Sequence, residues 1–189
     1  MFTLLFLTFY IWLVVDLTFA YLIPAVRRRR VVKRDYRDLA YLQLTIFAAI
    51  FLLFYFAFFS YYSGIGEVRS PLLYWLGVPL TFLGEGFRVW AIVTLGKYFT
   101  PVVEIQEGHG LVVKGPYRFV RHPAYTGALF AVLGMSLLTG SILSLVSFLL
   151  VFVGFQRRIA NEEKVLISKF GDEYTQKFGR KKRLIPLIW

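Results

Sequence analysis

Arg121, His122, Pro123 and Tyr125 stand together in the C-terminal half of the chain, and Arg158 and Glu162 follow across an apolar stretch. Polar groups beside membrane-length apolar segments are costly to keep, so such a cluster marks a place where chemistry can happen. Arg158 and Glu162 are four apart on a predicted helix and share one face. As an exposed ion pair they would contribute only about 0.3–0.5 kcal/mol. Their placement adds more. The pair falls at the cytoplasmic exit of a predicted helix, His122 opens the helix beside it, and the 97–121 segment returns to the same side, so a polar pocket at the membrane surface is expected. His122, directly before Pro123, falls at a helix N-terminus where free N–H groups favour an anion. A capping or interface histidine fits the same position. Tyr117 and Tyr125 read equally as interfacial anchors and as rings that stack on a flat ligand.

The chemistry open to these residues is bounded by composition. Cysteine is absent, which removes disulfides, thiolate catalysis and Cys-based zinc sites. The two histidines, His109 and His122, are too few for a His-rich di-iron cluster, and no metal site is expected. Neither the soluble dinucleotide fingerprint, the phosphate loop nor the serine elbow occurs: the glycines at 84 and 86 lie inside a predicted membrane helix and follow no strand.

The elements that must position the cluster are helices in a bilayer. Of 189 residues, 58% are hydrophobic and 19% aromatic, and the mean hydropathy is +0.62, well above a soluble domain. The pattern predicts an all-α integral membrane protein of one domain, with about five transmembrane helices. Three of them fall within residues 1–95: Phe2 to about Val26, Leu39 to Tyr62, and Pro71 to Leu95, the last opened by a helix-starting proline. The first lacks the basic leader of a signal peptide and is expected to stay in the mature protein. Residues 96–189 form the second part. Lys97 to Arg121 is polar and glycine-punctuated, too irregular to lie in lipid, and reads as a cytoplasmic loop or lid. A fourth helix runs from Pro123 to about Leu138, and a fifth from Ile142 to Gln156 and onward to Phe170. The apolar parts of these two, about 15 residues each, reach roughly 22 Å against a hydrocarbon core of ~30 Å, so they extend beyond the bilayer or form a low hairpin. The tail from Gly171 is basic and ends in the apolar run Leu184 to Trp189, suited to the membrane surface or to folding back over a site.

The formal charge is +11, and its placement excludes nucleic acid as the partner. Seven basic residues, Arg27 to Arg30, Lys33, Arg34 and Arg37, follow the first apolar run. Most others lie in the 97–121 loop and from Arg157 to Arg183, leaving only Arg69 and Arg88 elsewhere. With the N-terminus outside, five spans gather all three basic regions on the cytoplasmic face. This is the positive-inside pattern, with anionic headgroups as the expected contact. Within the third span Glu85 and Arg88 are three apart and can pair as glue between helices, or they can line a lipid-side passage. Asp16 in the first span carries the same two readings.

Read in order, Glu104, then His109, Gly110, Leu111 and Val112, then Gly115 and Tyr117, the run Arg121 to Tyr125, then Arg158, Glu162 and Glu163, and Phe170 to Tyr174 resemble the isoprenylcysteine carboxyl methyltransferase family, within a superfamily that includes phospholipid methyltransferases. The resemblance covers about residues 95–186. It implies an integral membrane enzyme that binds S-adenosylmethionine, released as S-adenosylhomocysteine, in a cytoplasmic pocket built from the last helices and loops. By that likeness His109, Gly110, Leu111 and Val112, with Tyr117, His122, Pro123, Ala124 and Tyr125, surround the cofactor. Glu162 holds its ammonium, Glu104 stands where eukaryotic members carry Gln, and Arg158 faces the acceptor carboxylate. The implied acceptor is a lipophilic or prenylated carboxylate that arrives from the bilayer. Phospholipid or amine N-methylation is the alternative within the superfamily, and an NADPH-dependent sterol-type reductase or a non-catalytic scaffold stand further off. A carboxylate needs no base, and a guanidinium would repel an ammonium substrate, so Arg158 favours the ester. The sequence does not specify the acceptor or the oligomeric state.

Overall fold

The computed structural model describes residues 2–26, 36–68, 70–101 and 110–184. Among these there is no β-strand, only two isolated bridges. The chain opens with α1 (Phe2–Leu17), which passes through a π-helical segment (Thr18–Leu22) into α2 (Ile23–Val26). It continues through α3 (Tyr36–Ser63), α4 (Pro71–Leu95), α5 (Pro123–Leu138), α6 (Leu145–Phe170) and the short α7 (Asp172–Phe178). Prolines set the starts of α4 and α5, where a missing N–H costs nothing. Gly171, at φ +49°, ends α6 and turns the chain into α7.

Four stretches are long and apolar enough to cross a membrane: Phe2–Leu22, Arg37–Ser63, Pro71–Tyr98 and Ile142–Phe170. The fifth apolar helix, α5, has 16 residues. At ~1.5 Å per residue it reaches roughly 24 Å, short of a hydrocarbon core of ~30 Å. About five spans were expected; the structure has four of full length and one short helix. The short helix is also the most enclosed, since eleven of its residues are buried.

That burial has a specific cause. Gly77 and Gly84 on α4 face Gly134 and Gly127 on α5, seven apart on each helix, and the backbones touch along this seam. A Cβ at Gly127 would lie 2.5 Å from the Gly84 carbonyl oxygen and 2.6 Å from the Arg88 nitrogen. One at Gly134 would lie 2.5 Å from the Thr81 nitrogen. Small residues permit this approach between membrane helices, where dispersion replaces the hydrophobic effect as the main attraction. Thr81 uses the closeness, donating to Gly77 O at 2.9 Å and lying 3.4 Å from Ala131 O across the seam.

On the other side of α5, α3 and α6 close the bundle around Leu42, Ala49, Ala128, Leu129, Val151, Phe155 and Ile159. Trp12, Leu53, Ala131 and Met135 form a second layer, and Leu5, Ala57 and Leu138 a third. At this far end Ser60 Oγ meets Ser141 Oγ at 2.6 Å, and Val68 N donates to Gly140 O at 2.7 Å. Large apolar side chains on α1, α3 and α4, such as Phe47, Trp75 and Leu83, point outward, as lipid-facing residues must. The antiparallel path brings the end of the first helix, the start of α3, the end of α4, the start of α5 and the end of α6 to one end of the bundle.

Candidate active site

That shared end holds a cavity of about 160 Å³. The π-helical segment contributes Ala20 and Tyr21, with Asp16 just before it; the extra residue in such a turn re-aims side chains and often accompanies sites. Leu39 and Leu42 come from α3, Arg88 and Leu95 from α4, Ala124 and Tyr125 from α5, and Phe155, Arg158, Glu162, Val165 and Leu166 from α6. Loop residues Gly110 to Val112, Tyr117, Arg121 and His122 close it, together with Tyr174 and Phe178 of α7. Nine of the expected site residues therefore meet in one wall: Gly110, Leu111, Val112, Tyr117, His122, Ala124, Tyr125, Arg158 and Glu162. Pro123 is buried and starts α5 but does not line the cavity. Glu104 and His109 lie outside the described residues, as do Arg27 to Arg30, Lys33, Arg34 and the end of the tail from Ile185.

The contacts differ from those read by spacing along single helices. Arg158 does not pair with Glu162. Its Nη1 donates to Asp38 Oδ2, its Nη2 to Pro101 O at 2.6 Å and its Nε to the Tyr125 hydroxyl at 3.3 Å. That hydroxyl in turn donates to Glu162 Oε2 at 3.0 Å, so Tyr125 stands between the two charges. Asp38 also accepts from Asn161 Nδ2 at 2.7 Å. The expected Glu85–Arg88 pair is likewise replaced. Arg88 Nε donates to Asp16 Oδ1 at 2.6 Å and Nη1 to Ala124 O at 3.2 Å, while both Glu85 oxygens are buried without a hydrogen-bond partner among the described residues. Residue spacing alone does not say which helix supplies the carboxylate that an interior arginine engages.

His122 is 5% exposed, and its Nε2 lies 3.3 Å from Glu163 Oε1. Glu163 is a hub: Arg121 Nη1 reaches the same oxygen at 3.1 Å, and Arg183 donates to Oε2 from Nη2 at 2.8 Å and from Nε at 3.1 Å. The tail folds back over the start of α5 and supplies the rest. Arg121 N donates to Lys182 O, His122 N to Arg183 O, and the Thr126 hydroxyl to Leu184 O at 2.7 Å. Lys181 Nζ donates to Tyr117 O at 2.7 Å. Residues 179–184 thus fold back over the start of α5, whereas the apolar end from Ile185, for which two placements were expected, lies outside the described residues. Replacing Arg183 with alanine should cost about 0.5–1 kcal/mol, since its side chain is 40% exposed and Glu163 keeps Arg121 and His122. Thermal melting in detergent checks this, and an unchanged midpoint would show that the strap needs only its backbone bonds.

Burial, and secondarily the Glu162 charge, pushes the Tyr117 hydroxyl well above the ordinary phenol range. Burial likewise pushes Tyr174 up to about 12, with Glu163 adding to it. Both are neutral donors at pH 7. Desolvation lowers Lys181. No group of three or more His, Asp or Glu is placed to hold a metal ion among the described residues.

A smaller chamber of about 60 Å³ adjoins the cavity and shares Asp16, Ile46, Arg88 and Phe155 with it. The rest of its wall is almost wholly apolar, from Phe9 and Trp12 through Leu53 to Val151.

Fold and site together define an all-helical integral membrane protein with a cavity at one end of the bundle, lined by charged and apolar side chains, and a smaller apolar chamber beside it between the helices. The isoprenylcysteine carboxyl methyltransferase (ICMT) family profile matches residues 76–168, just under half of the chain, so the chain is similar to that family there. It is 36% identical over 122 residues to a probable protein-S-isoprenylcysteine O-methyltransferase of Oryza sativa subsp. indica, covering 61% of this chain and 64% of the relative. The protein-S-isoprenylcysteine O-methyltransferase of Schizosaccharomyces pombe is 39% identical over 109 residues, covering 56% and 46%. A solved structure of the eukaryotic intramembrane Ras methyltransferase ICMT superposes with a TM-score of 0.63 at 29% identity, over 75% of this chain and 52% of that one. The matches thus span about half to just under two thirds of the length of these relatives.

Asp38, Asn161 and Arg183 were missed in the sequence. For Asp38 a signal existed: it is an acid at the head of an otherwise apolar helix, directly after a basic run.

Proposed function

We propose that this chain is a membrane O-methyltransferase that uses S-adenosylmethionine to esterify the carboxylate of a lipophilic, prenylcysteine-like acceptor. The observation that carries this reading is the junction of a cavity containing Glu162, Tyr125 and Arg158 with an apolar chamber, in a chain that matches this family's profile over residues 76–168. The cavity suits such a donor. Glu162 offers a carboxylate to an ammonium, Tyr117 and Tyr125 offer ring faces, and the backbone at Gly110 is uncluttered, since a Cβ there would meet only the Tyr98 hydroxyl at 3.7 Å. When bound, S-adenosylmethionine supplies an activated methyl group on a sulfonium.

The residues of the chain then have to orient and exclude. A guanidinium carries five N–H groups, and the three bonds of Arg158 leave two for an acceptor carboxylate. No base is required, because the acceptor is ionised at neutral pH. Alignment in a dry cavity supplies most of the acceleration. Tyr174 and Phe178 of α7 help to close the cavity, while the second chamber would take the start of an apolar chain. Glu104 and His109 would complete the donor site. The basic residues gathered at this end favour a cytoplasmic orientation against anionic headgroups.

Incubation of the purified protein with methyl-labelled S-adenosylmethionine and an N-acyl S-prenylcysteine tests the reading. The expected product is an alkali-labile methyl ester. Label that survives alkali, or appears only on phosphatidylethanolamine, would replace the ester with the amine reaction.

A further inference from the structure

A cavity that takes a cationic donor faces an electrostatic difficulty, because three arginines, Arg88, Arg121 and Arg158, line it already. In a medium of low polarity, like charges a few ångströms apart repel strongly. Each arginine is matched by an acid. Arg88 is paired with Asp16, which lines the cavity itself. Arg158 is paired with Asp38 and Arg121 with Glu163, neither of which lines it.

Asp38 occupies the first turn of α3 and is 9% exposed. Both its oxygens are used by α6: Oδ2 by Arg158 and Oδ1 by Asn161, one turn further along that helix. Helix attachment alone does not require this acid. Thr45 packs into the notch at Gly154, where a Cβ would meet its methyl carbon at 2.7 Å, Arg157 lies over the Tyr41 ring at 4.0 Å, and Leu42 packs into the core with Phe155 and Ile159. Hydrogen bonding alone does not require it either. An asparagine at 38 could accept from Arg158 through its oxygen and donate to a rotated Asn161 amide. What only aspartate supplies is a full negative charge against Arg158.

We propose that Asp38 is a positioning residue that sets the orientation of Arg158 and offsets its charge, so that a guanidinium for the acceptor and a sulfonium donor can share one cavity. This rests on the donor reading proposed above. It commits to a distinction that a helix clamp does not make: Asp38 favours a cationic ligand over a neutral ligand of the same shape. S-adenosylmethionine and S-adenosylhomocysteine form such a pair, alike in adenosine and amino-acid parts and different in the methylated, charged sulfur.

The test is calorimetric titration of both ligands into the full-length protein in detergent, as wild type, Asp38→Asn and Asn161→Asp, each checked for a cooperative melt. Asp38→Asn should weaken S-adenosylmethionine about five- to tenfold and change S-adenosylhomocysteine less than about twofold. Asn161→Asp, which adds a carboxylate to the same cluster while keeping Asp38, should move the ratio of the two affinities the other way by about twofold or more. Equal changes in the two ligands, or none, would overturn the role of Asp38 while leaving the donor site standing. A wild-type protein that binds neither ligand would overturn the donor reading and this proposal with it. If Asp38→Asn does not fold, the direction of the Asn161→Asp shift decides alone.

Discussion

Gly127→Leu is expected to abolish the folded protein: no cooperative melt and no monodisperse peak after extraction in mild detergent. The first added carbon already falls 2.5 Å from the Gly84 carbonyl oxygen and 2.6 Å from the Arg88 nitrogen. Both obstacles are backbone, so no rotamer change relieves them, and α4 and α5 would have to separate along the whole seam. Overpacking of adaptable cores costs about 1–3 kcal/mol. A leucine against two rigid backbones should exceed that, at about 4 kcal/mol or more, comparable to the entire margin of a small protein. Gly127→Ala, with one carbon, should fall near the upper end of the 1–3 kcal/mol range. Gly86→Ala is the internal control. A Cβ at Gly86 meets nothing within 4 Å on the exposed side of α4, so this variant should melt at or slightly above the wild-type temperature. A Gly127→Leu protein that melts like wild type would mean that α4 and α5 do not pack as described.

The seam matters to the site as well as to stability. Arg88 leaves α4 one turn beyond Gly84, and Ala124 and Tyr125 leave α5 just before Gly127. Close approach is what lets Arg88 donate to the Ala124 carbonyl across the two helices. A partial loosening, as in Gly127→Ala, should therefore weaken ligand binding even in protein that still folds.

Helix boundaries were largely legible in the sequence because local chemistry writes them: Pro71 and Pro123 start α4 and α5, and glycines end α3 and α6. The gathering of nine site residues was legible too, since an antiparallel bundle leaves few choices for which loop ends meet. Partners were not. Spacing pointed from Arg158 to Glu162 and from Arg88 to Glu85, whereas the acids that engage them sit 120 and 72 residues away, on α3 and α1. Such choices depend on helix rotation, which membrane helices with apolar residues on all sides encode weakly. The seam shows the same division. Glycines at 77, 84, 127 and 134 share a spacing of seven, a signal open to reading, but Gly84 reads first as a break in an apolar helix until its neighbour is known. The fold-back of residues 179–184 was not legible, since the bonds that fix it are mainly to backbone, which no side-chain motif announces.

Glu162→Gln should reduce methyl transfer by about 100-fold with little loss of stability. Glu162 is half-buried, its Oε2 accepts from Tyr125, and a glutamine oxygen can keep that bond. On the proposed reading, what the variant removes is the charge offered to the donor's ammonium. A hydrogen bond to a charged group contributes about 1.5–3 kcal/mol, or roughly 10- to 150-fold in affinity. The ammonium is common to substrate and product forms of the donor, so S-adenosylmethionine and S-adenosylhomocysteine should weaken together. Asp38→Asn should instead separate them, because on the proposal above that acid offsets the Arg158 charge that a sulfonium meets, and the two variants thus report on different parts of one ligand. Glu162→Gln protein that binds S-adenosylhomocysteine as tightly as wild type would remove Glu162 from the donor site, however strongly transfer fell. Loss of both affinities with an unchanged melting temperature is the expected pattern. It would also locate the acceptor, for with Glu162 committed to the donor, the carboxylate is left to Arg158, whose hydroxyl neighbour Tyr125 keeps the two charges apart.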